Sequence, residues 1–213
     1  MNSFKIDECF LLLTTKLRFT FTICFEMIIR IFIALELPEI VKREILEIQR
    51  RLVIKDAKIK WVSKENTHLT LKFLGGVEES LMPDIYEAMD GASKSFNSFQ
   101  LKLTDAGLFP NRGRPKIIWA GVGGHTSKLE SLADNCDSAM HRIGFKRENR
   151  KFKPHVTIGR IRRLSVPEDL SRRMKELEVD PIEFEAAKIN IIKSDLTSGG
   201  AVHTILNSIN LVN

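Results

Sequence analysis

The tetrapeptide His68-Leu69-Thr70-Leu71 recurs 87 residues later as His155-Val156-Thr157-Ile158. Each copy lies in an apolar run, rich in β-branched residues, that reads as a strand. Strand alternation sends His and Thr to one face and the two aliphatic residues to the other. Any fold for this chain must therefore anchor two short strands by their aliphatic side chains and leave two His/Thr faces outside the core. A single His-x-Thr is more often a satisfied structural pair. Two matched copies, in a chain with five His among 213 residues, point to one shared polar space.

From Ile28 onward, strand-like and helix-like segments alternate. Ile28 to Leu35 is predicted to be a buried strand. Pro38 opens a helix in which Val41, Ile45, Ile48 and Leu52 form one apolar stripe. Strands are predicted at Ile59 to Val62 and at Thr67 to Leu74, the second ended by Gly75-Gly76, and a helix from Met82 to Phe96. A strand pair at Gln100 to Ala106 and Ile117 to Val122 is joined by the basic loop Gly107-Leu-Phe-Pro-Asn-Arg-Gly-Arg-Pro-Lys116. A helix presents Leu129, Leu132, Cys136, Ala139 and Ile143 on one face, and Gly144 closes it. A strand through His155 to Ile161, a helix from Glu168 to Leu177, and strands near 182–196 and 202–211 complete the chain, with Gly199-Gly200 as the last turn. Interleaving of this kind predicts an α+β fold with largely antiparallel sheet. No glycine-rich phosphate loop of Walker or Rossmann form is present.

The net charge of +6 is modest, but its distribution is uneven. Between Lys146 and Arg163 stand eight basic residues and one acid, Glu148, a cluster that favours a polyanion over a solvated face. Cys9, Cys24 and Cys136 have no metal-like spacing and are odd in number, which argues against a disulfide framework or structural zinc and for a reducing, cytoplasmic setting. Charged residues interrupt the apolar stretches before Met27, so neither a membrane helix nor a signal peptide is expected there. Residues 1–26 are read as an extension outside a single core domain of residues 27–213. The rival is an added strand at Arg18 to Phe25, where polar and apolar residues alternate.

Two imidazoles that titrate near neutrality can divide the work of general acid and general base. Threonine hydroxyls can donate to phosphate oxygens and hold the charge that develops there. Opening a cyclic phosphodiester needs this pair: water activated on one side and a leaving oxygen protonated on the other. The ligand patterns of a metal-dependent phosphodiesterase, an HD pair, DxD or HxH, are absent from the sequence, so no metal or cofactor is expected.

At these residues the chain resembles the two-histidine phosphoesterase superfamily, and within it the bacterial and archaeal RNA 2′,3′-cyclic phosphodiesterases, historically called 2′-5′ RNA ligases. The resemblance covers Arg30-Ile-Phe-Ile-Ala34 with Leu37-Pro38, Trp61-Val62, and Asn66-Thr-His-Leu-Thr-Leu-Lys-Phe-Leu-Gly75. It continues through Phe109-Pro110, Pro115-Lys-Ile-Ile-Trp-Ala-Gly121 and Phe152-Lys-Pro-His-Val-Thr-Ile-Gly-Arg160. It implies two pseudo-symmetric lobes flanking a central cleft, with one motif from each. By the same resemblance His68 is the general acid and His155 the general base, while Thr70, Thr157 and Arg160 hold phosphate oxygens. Phe73 would stack on the nucleobase. The implied product is a 2′-phosphomonoester end, made by a monomer with no membrane partner.

Spacing complicates two of these roles. Phe73 and Arg160 each follow a motif histidine by five residues, which is the opposite parity in a regular strand. Phe73 would need a bend near Leu74-Gly75 to reach the cleft, whereas the long side chain of Arg160 can reach around. Arg112, Arg114 and Lys116 are candidates for RNA backbone contact or a solvated loop. His125 and His141 read as surface residues. His203 stands where the family often carries Tyr and is assigned no catalytic part. Two further functions stay open: 2′-5′ joining of RNA ends as the reverse reaction, and a nucleotide- or RNA-end-binding module without chemistry.

Overall fold

The structure, a computed structural model, describes residues 27–55, 57–110, 113–165 and 167–212, with only the backbone of Pro167 and Glu168. Both readings of residues 1–26 therefore fall outside the described residues. Strand β1 (Ile28–Leu35) leads into helix α1 (Glu39–Arg51), which follows Pro38 at its N-cap. Strands β2 (Ala57–Trp61) and β3 (Leu69–Glu78) come next, then α2 (Met82–Ser93), β4 (Phe99–Phe109) and β5 (Ile117–Gly124). The chain continues with α3 (Thr126–Arg142), β6 (His155–Leu164), α4 (Pro167–Glu176), β7 (Ile182–Ala186), β8 (Lys188–Leu196) and β9 (Ala201–Asn210).

The strands form two sheets, ordered β3-β1-β8-β9 and β2-β6-β5-β4-β7, and every ladder is antiparallel. The α+β expectation and the two lobes are thus observed. Three details differ from the sequence expectation. Gly107, Leu108 and Phe109, expected in the basic loop, extend β4 and pair with Trp119, Ile118 and Ile117 of β5. Strand β3 runs on through Gly75-Gly76 to pair Ile28 with Glu78, because a flanking strand satisfies the glycine backbone. The apolar stretch 182–196 is two strands in different sheets: β7 pairs with β4, and one residue later β8 pairs with β1.

Apolar faces explain the layering. Val41, Ile45 and Ile48 of α1 and Leu52 at its C-cap are fully buried, each contributing about 1.5–3 kcal/mol relative to exposure. Helix α1 follows a strand of the first sheet yet packs on β6 and β7 of the second. Conversely, α3 follows β5 of the second sheet and packs on β3 of the first, beside α2. Gly144 (φ +100°) ends α3, since its left-handed backbone lets Gly144 and Phe145 N–H groups reach the carbonyls of His141 and Met140. Cys136 lies buried in this layer, and burial pushes its thiol up to about 12. Among the described residues no helix is long and apolar enough to cross a membrane.

The opposite face of each sheet turns away from the helices. In the first sheet, Ile31, Ile33 and Leu35 join the main core, while Phe32, Ala34 and Ile192 form a separate small cluster on the other side. In the second, Val156 and Ile158 are buried in the core, leaving His155 and Thr157 on the other side.

Candidate active site

Both motif histidines are oriented in the same way. The Nδ1 of His68 lies 2.7 Å from the carbonyl oxygen of Asn66, and that of His155 lies 2.7 Å from the carbonyl of Lys153. A carbonyl can only accept, so Nδ1 carries the hydrogen in each ring and Nε2 is left as the titrating atom. Aromatic rings hold the imidazoles from the side. Phe32 packs on His68 at 4.5 Å between centroids, and Phe109, stacked on Trp119, meets His155 edge-on at 5.7 Å.

Two β-bulges resolve the parity of Phe73 and Arg160. In β3, Ala34 pairs with Thr70 but Ile33 pairs with Lys72, so Leu71 is an extra residue. In β6, Trp119 pairs with Thr157 but Ile118 pairs with Gly159, so Ile158 is extra. Each bulge follows a motif threonine and reverses the alternation beyond it. Phe73 consequently pairs with Phe32 on the cleft side, their rings 5.7 Å apart, and remains 60% exposed. The bend expected near Leu74-Gly75 lies earlier, at Leu71, although Leu74 forms a second irregularity. Arg160 pairs with Ile117, on the face that carries Thr157 and His155. No reaching around is needed.

The two motif strands are in contact, and their charges sense each other. Burial lowers the His68 pKa to about 4; the charges of His203 and Arg160 act in the same sense, against the hydrogen bond that the ring donates to Asn66 O. The ring is therefore neutral at neutral pH. Among the described residues neither the Thr70 nor the Thr157 hydroxyl has a hydrogen-bond partner, and Arg160 makes no ion pair, so all three are free to meet an anion.

Two further residues stand at the site: His203, to which the sequence reading gave no catalytic part, and Gln49, which it did not single out. His203 of β9 lies 5.2 Å from His68 and 5.0 Å from Phe32 between ring centroids. Burial lowers its pKa too. The register of β9, which pairs His203 with Ser194 of β8, brings it there. Gln49 is 6% exposed and donates both amide hydrogens, to Val62 O at 2.8 Å and Ile158 O at 2.9 Å. It thereby ties the bulged residue of one motif strand to the segment that leads into the other. A polar residue four positions from Ile45, on the apolar stripe of α1, was the available signal.

The other bulge has its own brace. Lys72, directly after Leu71, is buried and pairs with Asp137 of α3; it also donates to Lys146 O at 2.9 Å. Asp137 further accepts from Arg147 Nε at 3.0 Å and Glu148 N at 3.1 Å. Burial opposes its charge, but these donors hold its carboxyl below the usual carboxylate range.

The basic cluster divides. Arg147 pairs with Asp134 and Asp137, and Lys151 with Glu130, so its first half is partly spent within the fold. Arg114 donates to Leu164 O at 2.9 Å. Lys116 lies across from Ile161 by backbone hydrogen bond, one register step off the face of Arg160. Arg112 falls outside the described residues. His125 stands at the N-cap position of α3 without a side-chain cap bond, and His141 lies in its last turn.

A model of the family described as LigT like Phosphoesterase matches residues 35–119 and 122–203. An RNA 2′,3′-cyclic phosphodiesterase of Methanocaldococcus jannaschii is 35% identical over 178 residues, covering 83% of this chain and 98% of that protein. One from Thermotoga maritima is 33% identical, covering 83% and 92%. A crystal structure of a Thermus thermophilus protein has a TM-score of 0.71 at 25% identity, covering 85% of this chain and 97% of that one. Escherichia coli LigT complexed with 3′-AMP, 23% identical, shares the fold at a TM-score of 0.69, covering 88% and 100%. The chain belongs to the LigT-like phosphoesterase family.

Proposed function

We infer that this protein hydrolyses 2′,3′-cyclic phosphate ends of RNA to 2′-phosphomonoesters, without a metal ion. The supporting observation is the matched pair of imidazoles: each Nδ1 is committed to its own backbone, and each Nε2 is left to exchange a proton. The relatives named RNA 2′,3′-cyclic phosphodiesterase supply the substrate class. Acid, base and anion donors are all protein side chains.

Water attacks phosphorus opposite the ribose O3′, His155 Nε2 takes the water proton, and the P–O3′ bond breaks. His68 Nε2–H gives its proton to O3′, leaving a 2′-phosphate and a free 3′-hydroxyl. Thr70, Thr157 and Arg160 hold the non-bridging oxygens as negative charge builds on them. Phe73 stacks on the terminal base. An acid must enter the step protonated, whereas burial keeps His68 neutral in the free protein. The phosphate anion supplies the missing condition, because a nearby negative charge favours the imidazolium. One chain carries both histidines, so the site is complete in a monomer.

The test is turnover of an oligoribonucleotide with a 2′,3′-cyclic phosphate end in excess chelator. Conversion to the 2′-phosphate is expected, with a loss of about 10²–10⁴-fold in each of His68→Ala and His155→Ala. Full activity in either variant, or none without added metal, would overturn the mechanism.

A further inference from the structure

Beyond the catalytic residues, the cleft face of the second sheet continues outward as a strip of cations. Strand β2 lies at the edge of that sheet and pairs with β6. Along this ladder Ala57, Ile59 and Trp61 meet Leu164, Ile161 and Gly159, all on the helix-covered side. The alternate positions pair Lys60 with Arg160 and Lys58 with Arg163. A register shift between Lys58 and Ile59 leaves Arg162 as the extra residue, which returns Arg163 to the face of Arg160. All four side chains are exposed. Among the described residues none of them makes an ion pair.

Like charges directly opposite on neighbouring strands destabilise a sheet. Lysines on an edge strand can serve only to deter edge-to-edge pairing, but that purpose does not require Arg160 and Arg163 across from them on an interior strand. The strip is also continuous with the site. It starts at Arg160, whose charge reaches His68. Lys60 extends to the turn between β8 and β9, its Nζ 3.1 Å from where a Cβ on Gly200 would stand. Lys58 and Arg163 lie two strand residues farther out, about 7 Å at the usual rise, a span close to that of one extended nucleotide.

We propose that Lys58, Lys60 and Arg163 form a backbone track for single-stranded RNA, carrying the phosphates on the 5′ side of the cyclic end out of the cleft along β2 and β6. The proposal rests on the RNA-end reading of the site and adds that the enzyme grips a strand, not only a terminal nucleotide. Its occupant is a chain of regularly spaced monoanionic phosphates, which matches paired cations repeated along a strand.

The experiment compares wild type with Lys58→Gln/Arg163→Gln. Fluorescence anisotropy follows a 5′-labelled decaribonucleotide ending in a 3′-phosphate across a salt series. A parallel assay takes the ratio of kcat/KM for a cyclic-ended decamer to that for a cyclic mononucleotide. The variant is expected to bind the decamer about tenfold more weakly and to lose roughly 1.4 from its log–log salt slope, about 0.7 per phosphate contact. The kcat/KM ratio should fall by a similar factor, and the melting temperature should hold or rise as the Lys58–Arg163 like-charge pair is relieved. Unchanged decamer affinity and slope would overturn the track. An equal loss for the decamer and for inorganic tripolyphosphate would overturn its assignment to a strand. If wild type binds the decamer with this salt slope but turns over neither substrate, the catalytic reading fails while the track stands.

Discussion

Phe73 and Arg160 occupy equivalent places in the two motifs, each five residues past a histidine and each returned to the cleft by a bulge after the motif threonine. The same backbone device thus delivers an apolar ring from one lobe and a cation from the other. A terminal nucleotide has one of each counterpart, a base and a phosphate. Phe73→Ala is expected to raise KM about tenfold or more with little change in kcat, since stacking on one base is worth about 1–3 kcal/mol. Arg160→Met should lower kcat by about 10²-fold or more, as charge stabilisation in the transition state is lost. Steady-state kinetics on one cyclic-ended substrate separates the two.

His68 gives a pH signature to folding. The unfolded chain binds a proton on this ring near the ordinary value of about 6.5, and the folded chain only near 4. Stability present above pH 6.5 is therefore lost as pH falls from about 6.5 towards 4, by about 3 kcal/mol at most. Urea unfolding at several pH values should show this loss in wild type and not in His68→Ala. In His203→Phe the His68 shift should shrink yet persist, because burial is its larger cause; an NMR titration of the ring protons reads both.

Substrate binding should take up a proton. Calorimetry of a non-hydrolysable analogue of a nucleoside 2′,3′-cyclic phosphate at pH 7, run in buffers of different ionisation enthalpy, is expected to show uptake approaching one proton. That uptake should disappear in His68→Ala. Binding without proton uptake in wild type would contradict an acid charged by its own substrate.

Gln49 is buried and bonded to the bulged Ile158, so its effect on catalysis is expected to pass through the bulge. Gln49→Leu leaves the Val62 carbonyl without its side-chain donor and should cost about 1–3 kcal/mol in stability. A larger effect is expected on kcat than on KM, because Ile158 sits between Thr157 and Arg160. Gln49→Glu, with the same shape but no amide donor, should not rescue kcat. Equal kcat in all three proteins, once compared at temperatures well below melting, would make Gln49 structural alone.

Asp137→Ala removes the counter-charge of buried Lys72 and is expected to cost about 3–5 kcal/mol. Replacing both partners, as Lys72→Met/Asp137→Leu, should recover much of that loss. Chemical denaturation of the three proteins measures the difference.

The motifs and the helix stripes were legible because both are local: Val41, Ile45, Ile48 and Leu52 reveal their common face within a single helix. The bulges were not. Leu71 and Ile158 are extra only relative to the strands they pair with, β1 and β5, and register against a distant strand leaves no mark in the motif itself. For the same reason, regular alternation placed Phe73 and Arg160 on the wrong faces. Lys72 and Asp137 lie 65 residues apart, and only burial in the fold joins them. The split of 182–196 between two sheets was hidden because both pieces are apolar enough for either.

The exchange of helices has a consequence for how the molecule can be divided. Helix α1 springs from the first sheet and roofs the second, while α3 does the reverse. A break between α2 and β4 would give two fragments, each with a histidine strand whose roof had left with the other piece. Neither fragment should hold its motif in shape alone, yet the pair should reassemble when mixed. The two halves resemble clasped hands: alike, and unable to grip singly.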